Sequence, residues 1–313
     1  MKLSSYAICS TGLVRKDNQD NLYINGVYRE DINNNTDFRY ANTIDNCGLY
    51  VVADGMGGEK HGELASLIAV QGLRSVNPAD GYQGVMASIN ESNSRICGLM
   101  MENKVRIGST FVGLCINENR ADVINIGDSR LYFLRGGELK QLSRDHTSIR
   151  QMLDLGAISE EAAKKHPDRH KLTQHLGIFP DEMIIEPYTI SVDIEAGDIF
   201  LLCSDGLTDM LSDSEIKDIL GAVGPIEKKA ETLVEGAMRN GGKDNTSVLL
   251  VQVMQNVTAK KGGAKNAVIN AHQPTTKHHE KKKSKLPLIL AIIALLLFAA
   301  AIAIFVLKEL GNT

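Results

Sequence analysis

Residues 49–58 read LYVVADGMGG, an apolar run that ends in an aspartate and is followed by three glycines. The apolar run predicts a buried strand that brings Asp54 to its tip. Glycine lets the backbone turn tightly and come close to a ligand. Residues 199–206, IFLLCSDG, repeat this pattern and place Asp205 at the end of a second apolar strand. We therefore expect both carboxylates at a site where strands end.

Two further aspartates stand beside other predicted strands. Asp244, in GGKDN, precedes the run Ser247–Val253, and Asp128, in NIGDSR, follows another apolar run. An isolated Asp-Gly pair is typical of an ordinary turn. Four carboxylates at strand ends favour a different interpretation, because like charges that converge must be neutralised by a cation. Ligation by oxygen atoms predicts a hard ion, Mg²⁺ or Mn²⁺, in preference to Zn²⁺.

Such carboxylates suit phosphoryl chemistry. Two ions about 3.5–4 Å apart would share a bridging carboxylate and activate a water for in-line attack on phosphorus. Arg15, in RKDNQD at residues 15–20, offers a planar guanidinium fork for phosphate oxygens. A surface salt bridge is the alternative role for this arginine. Together these features predict metal-dependent phosphoryl chemistry.

Composition and charge narrow the class of protein. The chain has 313 residues, of which 43% are apolar, 23% charged and 5% aromatic, as in an ordinary globular protein. Residues 256–313 contain nine Lys and two Glu, a surplus of +7, so the net charge of −4 leaves −11 on residues 1–255. An acidic body disfavours nucleic acid as a partner. The five scattered cysteines predict reduced thiols without a disulfide framework.

The order of the predicted elements favours an antiparallel α+β fold, because strands come in runs and helices in pairs. The strands are predicted at Tyr6–Cys9, Asn21–Ile24, Gly48–Ala53, Ser109–Ile116, Ala121–Ile126, Leu131–Arg135, Ile199–Cys203 and Ser247–Val253. The helices are predicted at Leu64–Val76, Val85–Met101, Ser148–Leu155, Asp213–Leu220 and Ile226–Met238. Residues Tyr28–Asn46, which include three consecutive asparagines, predict a surface loop between two strands.

Eight segments between Gly12 and Val253 carry a family resemblance. They are GLVRKDNQD (Gly12–Asp20), VVADGMGG (Val51–Gly58), GST (Gly108–Thr110), IGDSRLYFLR (Ile126–Arg135), QLSRDHT (Gln141–Thr147), LTQHLG (Leu172–Gly177), LLCSDGLTDML (Leu201–Leu211) and GGKDNTSVLLV (Gly241–Val251). In this order they resemble the PPM (type 2C) family of metal-dependent protein Ser/Thr phosphatases, in its bacterial form. Each motif alone is weak, whereas the ordered set is specific.

The resemblance implies an αββα sandwich, in which helix pairs cover two antiparallel sheets and a two-metal site lies at one end. On this pattern Asp54 bridges both ions, and the backbone carbonyl of Gly55 binds one of them. Asp205 and Asp244 complete the coordination of the other ion. Asp20 belongs to a water-mediated outer shell. By the same resemblance, Asp128 is a ligand of a possible third ion.

Further positions match or depart from the family pattern. Arg15 matches the phosphate-binding arginine, and Ser148–His170 falls where the family has a mobile flap that influences substrate access. Gln19 stands where the family often has Glu, which predicts a looser outer shell. Met56 stands where animal members have a proposed general acid, and a thioether cannot donate a proton. A metal-bound water, or else His61, is then the candidate acid.

The C-terminal part of the chain differs from the body. Leu286–Leu307 is 22 residues without a charged side chain, which as a helix spans about 33 Å, enough to cross the hydrocarbon core. A buried globular helix is the alternative. Four lysines at residues 281–285 precede this segment and only Lys308 follows it, so the positive-inside rule places the catalytic body in the cytoplasm. We predict a catalytic domain at 1–255, a flexible basic linker at 256–285, a transmembrane helix at 286–307 and a short extracytoplasmic tail at 308–313.

The combined prediction is a membrane-anchored hydrolase of phosphoserine and phosphothreonine on proteins. It uses a metal-activated water and two Mn²⁺ or Mg²⁺ ions, with a third possible, and no covalent thiol route is expected. The partners are phosphorylated proteins, membrane lipid around the C-terminal helix and, by the resemblance, a Hanks-type Ser/Thr kinase whose phosphorylation it opposes. The alternatives are a catalytically silent phospho-binding scaffold and a small-molecule phosphatase.

Overall fold

The computed structural model describes residues 1–57, 61–164, 166–254 and 269–270. Its strands are β1 (Lys2–Ser10), β2 (Asp20–Ile24), β3 (Val27–Tyr28), β4 (Phe38–Asp45), β5 (Cys47–Met56), β6 (Gly108–Ser109), β7 (Phe111–Asn117), β8 (Arg120–Ile126), β9 (Arg130–Arg135), β10 (Glu138–Gln141), β11 (Tyr188–Asp193), β12 (Ile199–Cys203), β13 (Thr246–Met254) and β14 (Ile269–Asn270). Its helices are α1 (Gly62–Gln71), α2 (Gly81–Asn103), α3 (Ser148–Asp154), α4 (Glu160–Lys164), α5 (Asp205–Thr208), α6 (Asp213–Gly221) and α7 (Ile226–Arg239).

The strands form two antiparallel sheets. The first has the order β10-β9-β12-β13-β1-β4, and the second has the order β14-β11-β8-β7-β5-β2-β3, with β6 paired to the end of β5. β1 and β13 pair along their whole length, from Lys2 opposite Met254 to Ser10 opposite Thr246. This pairing joins the two ends of the predicted catalytic domain in the middle of one sheet.

Three apolar clusters define four layers. One cluster contains inward-facing residues of both sheets, such as Leu114 and Phe200, and fills the space between them. A second joins the outer face of the β5 sheet to α1 and α2, and a third joins the outer face of the β13 sheet to α6 and α7. Because central strands are covered on both faces, they are apolar throughout, as Val51–Ala53 of β5 illustrates. The predicted sandwich of antiparallel sheets flanked by helices is confirmed.

Two of the longer strands, β4 and β11, lie where the sequence analysis did not place them. The loop predicted at Tyr28–Asn46 is wrong for its second half, because Phe38–Asp45 forms β4 at a sheet edge, paired to β1. An edge strand needs only one apolar face, and in β4 Asn42 occupies part of that face, which weakens the alternating pattern. β11, with the sequence YTISVD, was likewise not predicted.

The predicted transmembrane helix 286–307 and tail 308–313 lie outside the described residues. So does the predicted linker, apart from Ile269–Asn270, which pair with Ser191 and Val192 of β11. Among the helices of the described ranges, none has both the length and the apolar character that a membrane crossing requires.

Candidate metal centre

An acidic cavity of about 550 Å³ opens where strands of both sheets end. It is lined by carboxylates, two basic side chains and neighbouring groups: Arg15, Gln19, Asp54, Gly55, Met56, Gly57, Thr110, Asp128, His170, Leu172, Asp205, Asp209, Asp244 and Asn245. Five of the predicted ligands, the carboxylates of Asp54, Asp128, Asp205 and Asp244 and the carbonyl of Gly55, thus share one cavity. They are up to 190 residues apart in the sequence. The roles assigned to them remain predictions.

The end of β5 fixes Asp54. Its Cα lies opposite that of Asp20 on β2. On the other side, the backbone N–H of Asp54 donates to Thr110 Oγ1 at 2.9 Å, and the carbonyl of Asp54 accepts from the backbone N–H of Thr110 at 2.8 Å. These bonds hold the backbone on both sides of the carboxylate. A Cβ on Gly55 would lie 2.1 Å from the carbonyl oxygen of Gly62, so only glycine permits the approach of α1.

Asp205 and Asp244 are brought together by a second close backbone approach. Asp205 is the first residue of α5, directly after β12, and Asp244 lies in the turn that precedes β13. A Cβ on Gly206 would lie 1.9 Å from the carbonyl oxygen of Asn245. The Asn245 amide donates to the carbonyls of Thr11 and Asp17 at 2.9 and 3.0 Å. Asn245 therefore fastens the Asp244 turn to the loop that carries Arg15.

Asp20 lies behind the cavity and is fully buried. Its Oδ2 accepts hydrogen bonds from the hydroxyls of Ser204 and Ser247 at 2.7 and 2.8 Å. Its Oδ1 is buried without a hydrogen-bond partner among the described residues. Burial raises the pKa of Asp20 to about 7, although the two serine hydroxyls oppose the shift. An unpartnered buried carboxylate oxygen fits a water-mediated contact with a bound ion.

The electrostatics of the cavity favour a bound divalent cation. Burial raises the pKa of Asp54 well above its usual range, and the charges of Asp20 and Asp205 raise it further. Burial and the charge of Asp205 likewise raise the pKa of Asp128. Within the described part of the chain, Arg15 and His170 are the only basic residues that line the cavity, against five aspartates. The carboxylates repel one another when they are ionised, and a bound cation would relieve this repulsion. Carboxylate oxygens are also ligands that Mg²⁺ and Mn²⁺ prefer.

Arg15 lies at the mouth of the cavity. Its Nη2 donates to Asp244 Oδ2 at 2.6 Å, and both side chains are partly exposed. This hydrogen bond raises the pKa of Arg15, and the charges of Asp244, Asp205 and Asp54 raise it further. The structure thus places Arg15 in the lining of the cavity, in a salt bridge with a predicted metal ligand.

The loop of Asp128 is held by His146. The backbone N–H of Gly127 donates to the imidazole Nδ1 of His146 at 3.2 Å, and the N–H of His146 donates to the carbonyl of Gly127 at 2.9 Å. Burial lowers the pKa of His146 to about 4. A neutral imidazole can accept this bond, so His146 supports the loop and does not face the cavity.

Three other positions bear on the reaction. Met56 lines the cavity, whereas His61 is exposed at the start of α1 and is not among the lining residues. Cys9 and Arg15 have the C-x₅-R spacing typical of phosphatases that form a cysteinyl-phosphate. Cys9 is nevertheless fully buried, and burial raises the pKa of its thiol to about 11. A thiol in this state is no nucleophile.

Two residues of the site were missed by the sequence analysis. His170 ends the predicted flap and lies with Nδ1 3.4 Å from Asp205 Oδ2 and Nε2 3.3 Å from Asp209 Oδ2. Hydrogen bonds to these two carboxylates raise the pKa of His170 to about 10. The flap returns to the body through a β-bridge between Thr147 and Leu172, which brings His170 to the cavity. Asp209 stood inside a quoted motif, but nothing in the sequence links it to His170.

Comparison with known proteins agrees with this geometry. The profile of the protein phosphatase 2C family matches residues 27–240. The chain is 38% identical over 214 residues to protein phosphatase PhpP of Streptococcus pneumoniae, covering 66% of this chain and 85% of PhpP. The crystal structure of the Ser/Thr phosphatase PstP of Mycobacterium tuberculosis superimposes with a TM-score of 0.68 at 32% identity and covers 82% of this chain and all of that one.

A further related structure bears on the metal. The catalytic domain of PstP in complex with two manganese ions superimposes with a TM-score of 0.66 at 30% identity, covering 82% of this chain and 100% of that one. Fold and site thus define a metal-dependent protein Ser/Thr phosphatase, and the predicted enzyme class is confirmed. The chain belongs to the protein phosphatase 2C family.

Proposed function

We propose that the chain dephosphorylates phosphoserine and phosphothreonine on proteins at the carboxylate cavity. Asp54 would bind both of two divalent ions. The carbonyl of Gly55 would be a further ligand of one ion, and Asp205 and Asp244 would be further ligands of the other. The observation that carries this proposal is the shared cavity, in which these aspartates lie beside Arg15. When bound, the ions supply positive charge and lower the pKa of a water for attack on phosphorus.

The residues of the chain bind and orient the substrate. The Arg15 guanidinium would turn from Asp244 toward two phosphate oxygens, since a fork of N–H donors matches their geometry. Asp20 would orient water at the inner side of the cavity through its unpartnered Oδ1. Met56 carries no proton to donate and His61 does not line the cavity, so a water held in the cavity stays the candidate acid for the leaving alkoxide.

The test is Mn²⁺-dependent release of phosphate from a phosphothreonine peptide by the full chain. We expect Asp205→Ala to lose at least about a hundredfold in kcat/KM, because removal of a ligand costs several kcal/mol of charge stabilisation. Asp218→Ala removes an exposed carboxylate on α6 and is the matched control, with an unchanged rate. Melting curves without metal show whether both variants fold.

Three results would contradict the proposal. Equal rates for wild type and Asp205→Ala would overturn the assignment of the ligand. Turnover of a nucleotide or sugar phosphate, with none of the phosphopeptide, would favour the small-molecule phosphatase. Binding of the phosphopeptide without turnover would favour the silent scaffold.

We propose, in addition, that Leu286–Leu307 anchors the catalytic domain to the cytoplasmic face of a membrane. The support is the apolar length of this segment and the lysines at residues 281–285 before it. An anchor raises the local concentration of substrates held at the same membrane. A membrane-bound Ser/Thr kinase with shared substrates is the partner that this arrangement suits.

Fractionation of cells tests the anchor. The full chain is expected in the membrane fraction after a high-salt wash, with the catalytic domain open to protease from the cytoplasmic side. A variant without residues 286–307 should move to the soluble fraction. Recovery of the full chain in the soluble fraction would contradict the anchor and leave the phosphatase unaffected.

A further inference from the structure

His170 approaches the predicted ligands from a segment that none of the carboxylate motifs includes. One potential ligand atom each from Asp128, His170 and Asp205 lie within 4.8 Å of one another. Around an octahedral ion with bonds of about 2.1 Å, neighbouring ligand atoms lie about 3 Å apart and opposite ones about 4.2 Å apart. The three side chains would therefore have to draw closer together to bind a single ion.

The orientation of the imidazole matches that of a metal-binding histidine. Its Nδ1 faces Asp205 at 3.4 Å, while its Nε2 lies 3.3 Å from Asp209 Oδ2. Histidine ligands commonly give their second ring N–H to a carboxylate, which fixes the tautomer and leaves the other nitrogen for the metal. The raised pKa of His170 means that its Nδ1 carries a proton in the metal-free cavity, so an ion bound there would release this proton to solvent while the N–H of Nε2 stays on Asp209. Asp209 is held in turn by Arg169, whose Nη2 lies 3.8 Å away.

We infer that His170 is a ligand of a third divalent ion, shared with Asp128 and Asp205, and that it makes this position selective for Mn²⁺ over Mg²⁺. The inference rests on the carboxylate centre proposed above. Imidazole nitrogen binds transition ions well, whereas Mg²⁺ prefers oxygen. Because His170 ends the flap, an ion here would tie the flap to the body at Asp205.

The experiment is three-pulse electron spin-echo spectroscopy on the full chain loaded with Mn²⁺, together with calorimetric titration of Mn²⁺ and Mg²⁺. Wild type is expected to show ¹⁴N modulation from a coordinated imidazole, and His170→Ala is expected to lose it. His166→Ala is the matched control, because His166 lies in the same segment, accepts from the N–H of Asp168 and does not line the cavity. The weakest Mn²⁺ affinity should fall at least about tenfold in His170→Ala, with Mg²⁺ affinity changed less than about twofold.

Phosphopeptide hydrolysis measured on the same samples separates this inference from the proposed function. Hydrolysis by wild type without ¹⁴N modulation would overturn the role of His170 alone, as would equal Mn²⁺ affinity in wild type and His170→Ala. Modulation that depends on His170, without hydrolysis, would support the ligand and contradict the proposed function.

Discussion

Asp20 is a buried carboxyl group whose ionisation opposes folding in the absence of metal. Its pKa is raised from 3.8 to about 7 by burial, so the folded state holds a proton that the unfolded state releases. The contribution of Asp20 to stability is therefore full below about pH 4 and is lost as the pH rises toward 7, by at most about 1.4 kcal/mol per pH unit. A bound cation removes this cost because it neutralises the carboxylate.

This sign gives a prediction for the metal-free protein. In EDTA, the free energy of unfolding should fall between about pH 4 and pH 7, and Asp20→Asn should show a shallower fall because its side chain does not ionise. Urea unfolding of both proteins at several pH values measures this pH dependence of the free energy of unfolding. If the free energy of unfolding of the EDTA-treated wild type instead rises over this range, the raised pKa of the buried Asp20 carboxyl group is contradicted.

Arg15 allows a test of substrate binding separate from metal binding. Arg15→Ala should lower kcat/KM for a phosphopeptide by roughly 10–100-fold, since a charged hydrogen bond contributes about 1.5–3 kcal/mol. The main effect should be on KM, with Mn²⁺ affinity kept. Arg15→Lys should recover only part of the lost kcat/KM, because a lysine ammonium group lacks the planar fork of N–H donors that a guanidinium has. An unchanged KM in Arg15→Ala would contradict phosphate binding by Arg15 and favour the alternative role, a surface salt bridge.

At the scale of elements, the site depends on backbones that approach more closely than a side chain permits. The first turn of α5 and the Asp244 turn meet at Gly206. We predict that Gly206→Ala destabilises the protein by about 1–3 kcal/mol, as overpacking usually does, and weakens Mn²⁺ binding because Asp205 and Asp244 move apart. Gly98→Ala is the control: this glycine lies within α2 and a Cβ there meets nothing within 4 Å, so a gain of roughly 0.5–1 kcal/mol is expected.

Thermal melting and Mn²⁺ titration of both variants measure these effects. Equal stability of Gly206→Ala and wild type would show that the α5 turn can shift freely.

The same scale explains what the sequence could predict. An apolar run that ends directly in an aspartate is visible in the sequence at Asp54 and at Asp205. These two strands, and a common site for their carboxylates, could therefore be predicted. β4 did not, since an edge strand with Asn42 on its inner side resembles a loop. His170 did not either, because its contacts to Asp205 and Asp209 depend on the path of the flap across the body, which has no local sequence signal.

At the scale of the whole molecule, bound metal and folding are linked, because the cavity joins residues of both sheets. Mn²⁺ at about 100 times its Kd should stabilise the folded state by about 2.7 kcal/mol, or raise Tm by roughly 5–10 °C for a domain of this size. EDTA should reverse the shift. An unchanged Tm in millimolar Mn²⁺ would show that the carboxylates do not form a common metal site.

The central claim is that Asp54, Asp205 and Asp244, which are distant in the sequence, together bind a pair of hard divalent ions. Anomalous diffraction from a crystal soaked in Mn²⁺, recorded at the manganese absorption edge, tests it most directly. The account predicts two strong peaks about 3.5–4 Å apart, with the Asp54 carboxylate between them and Asp205 and Asp244 beside one. A cavity without peaks, or one peak that Asp54 does not contact, would contradict it.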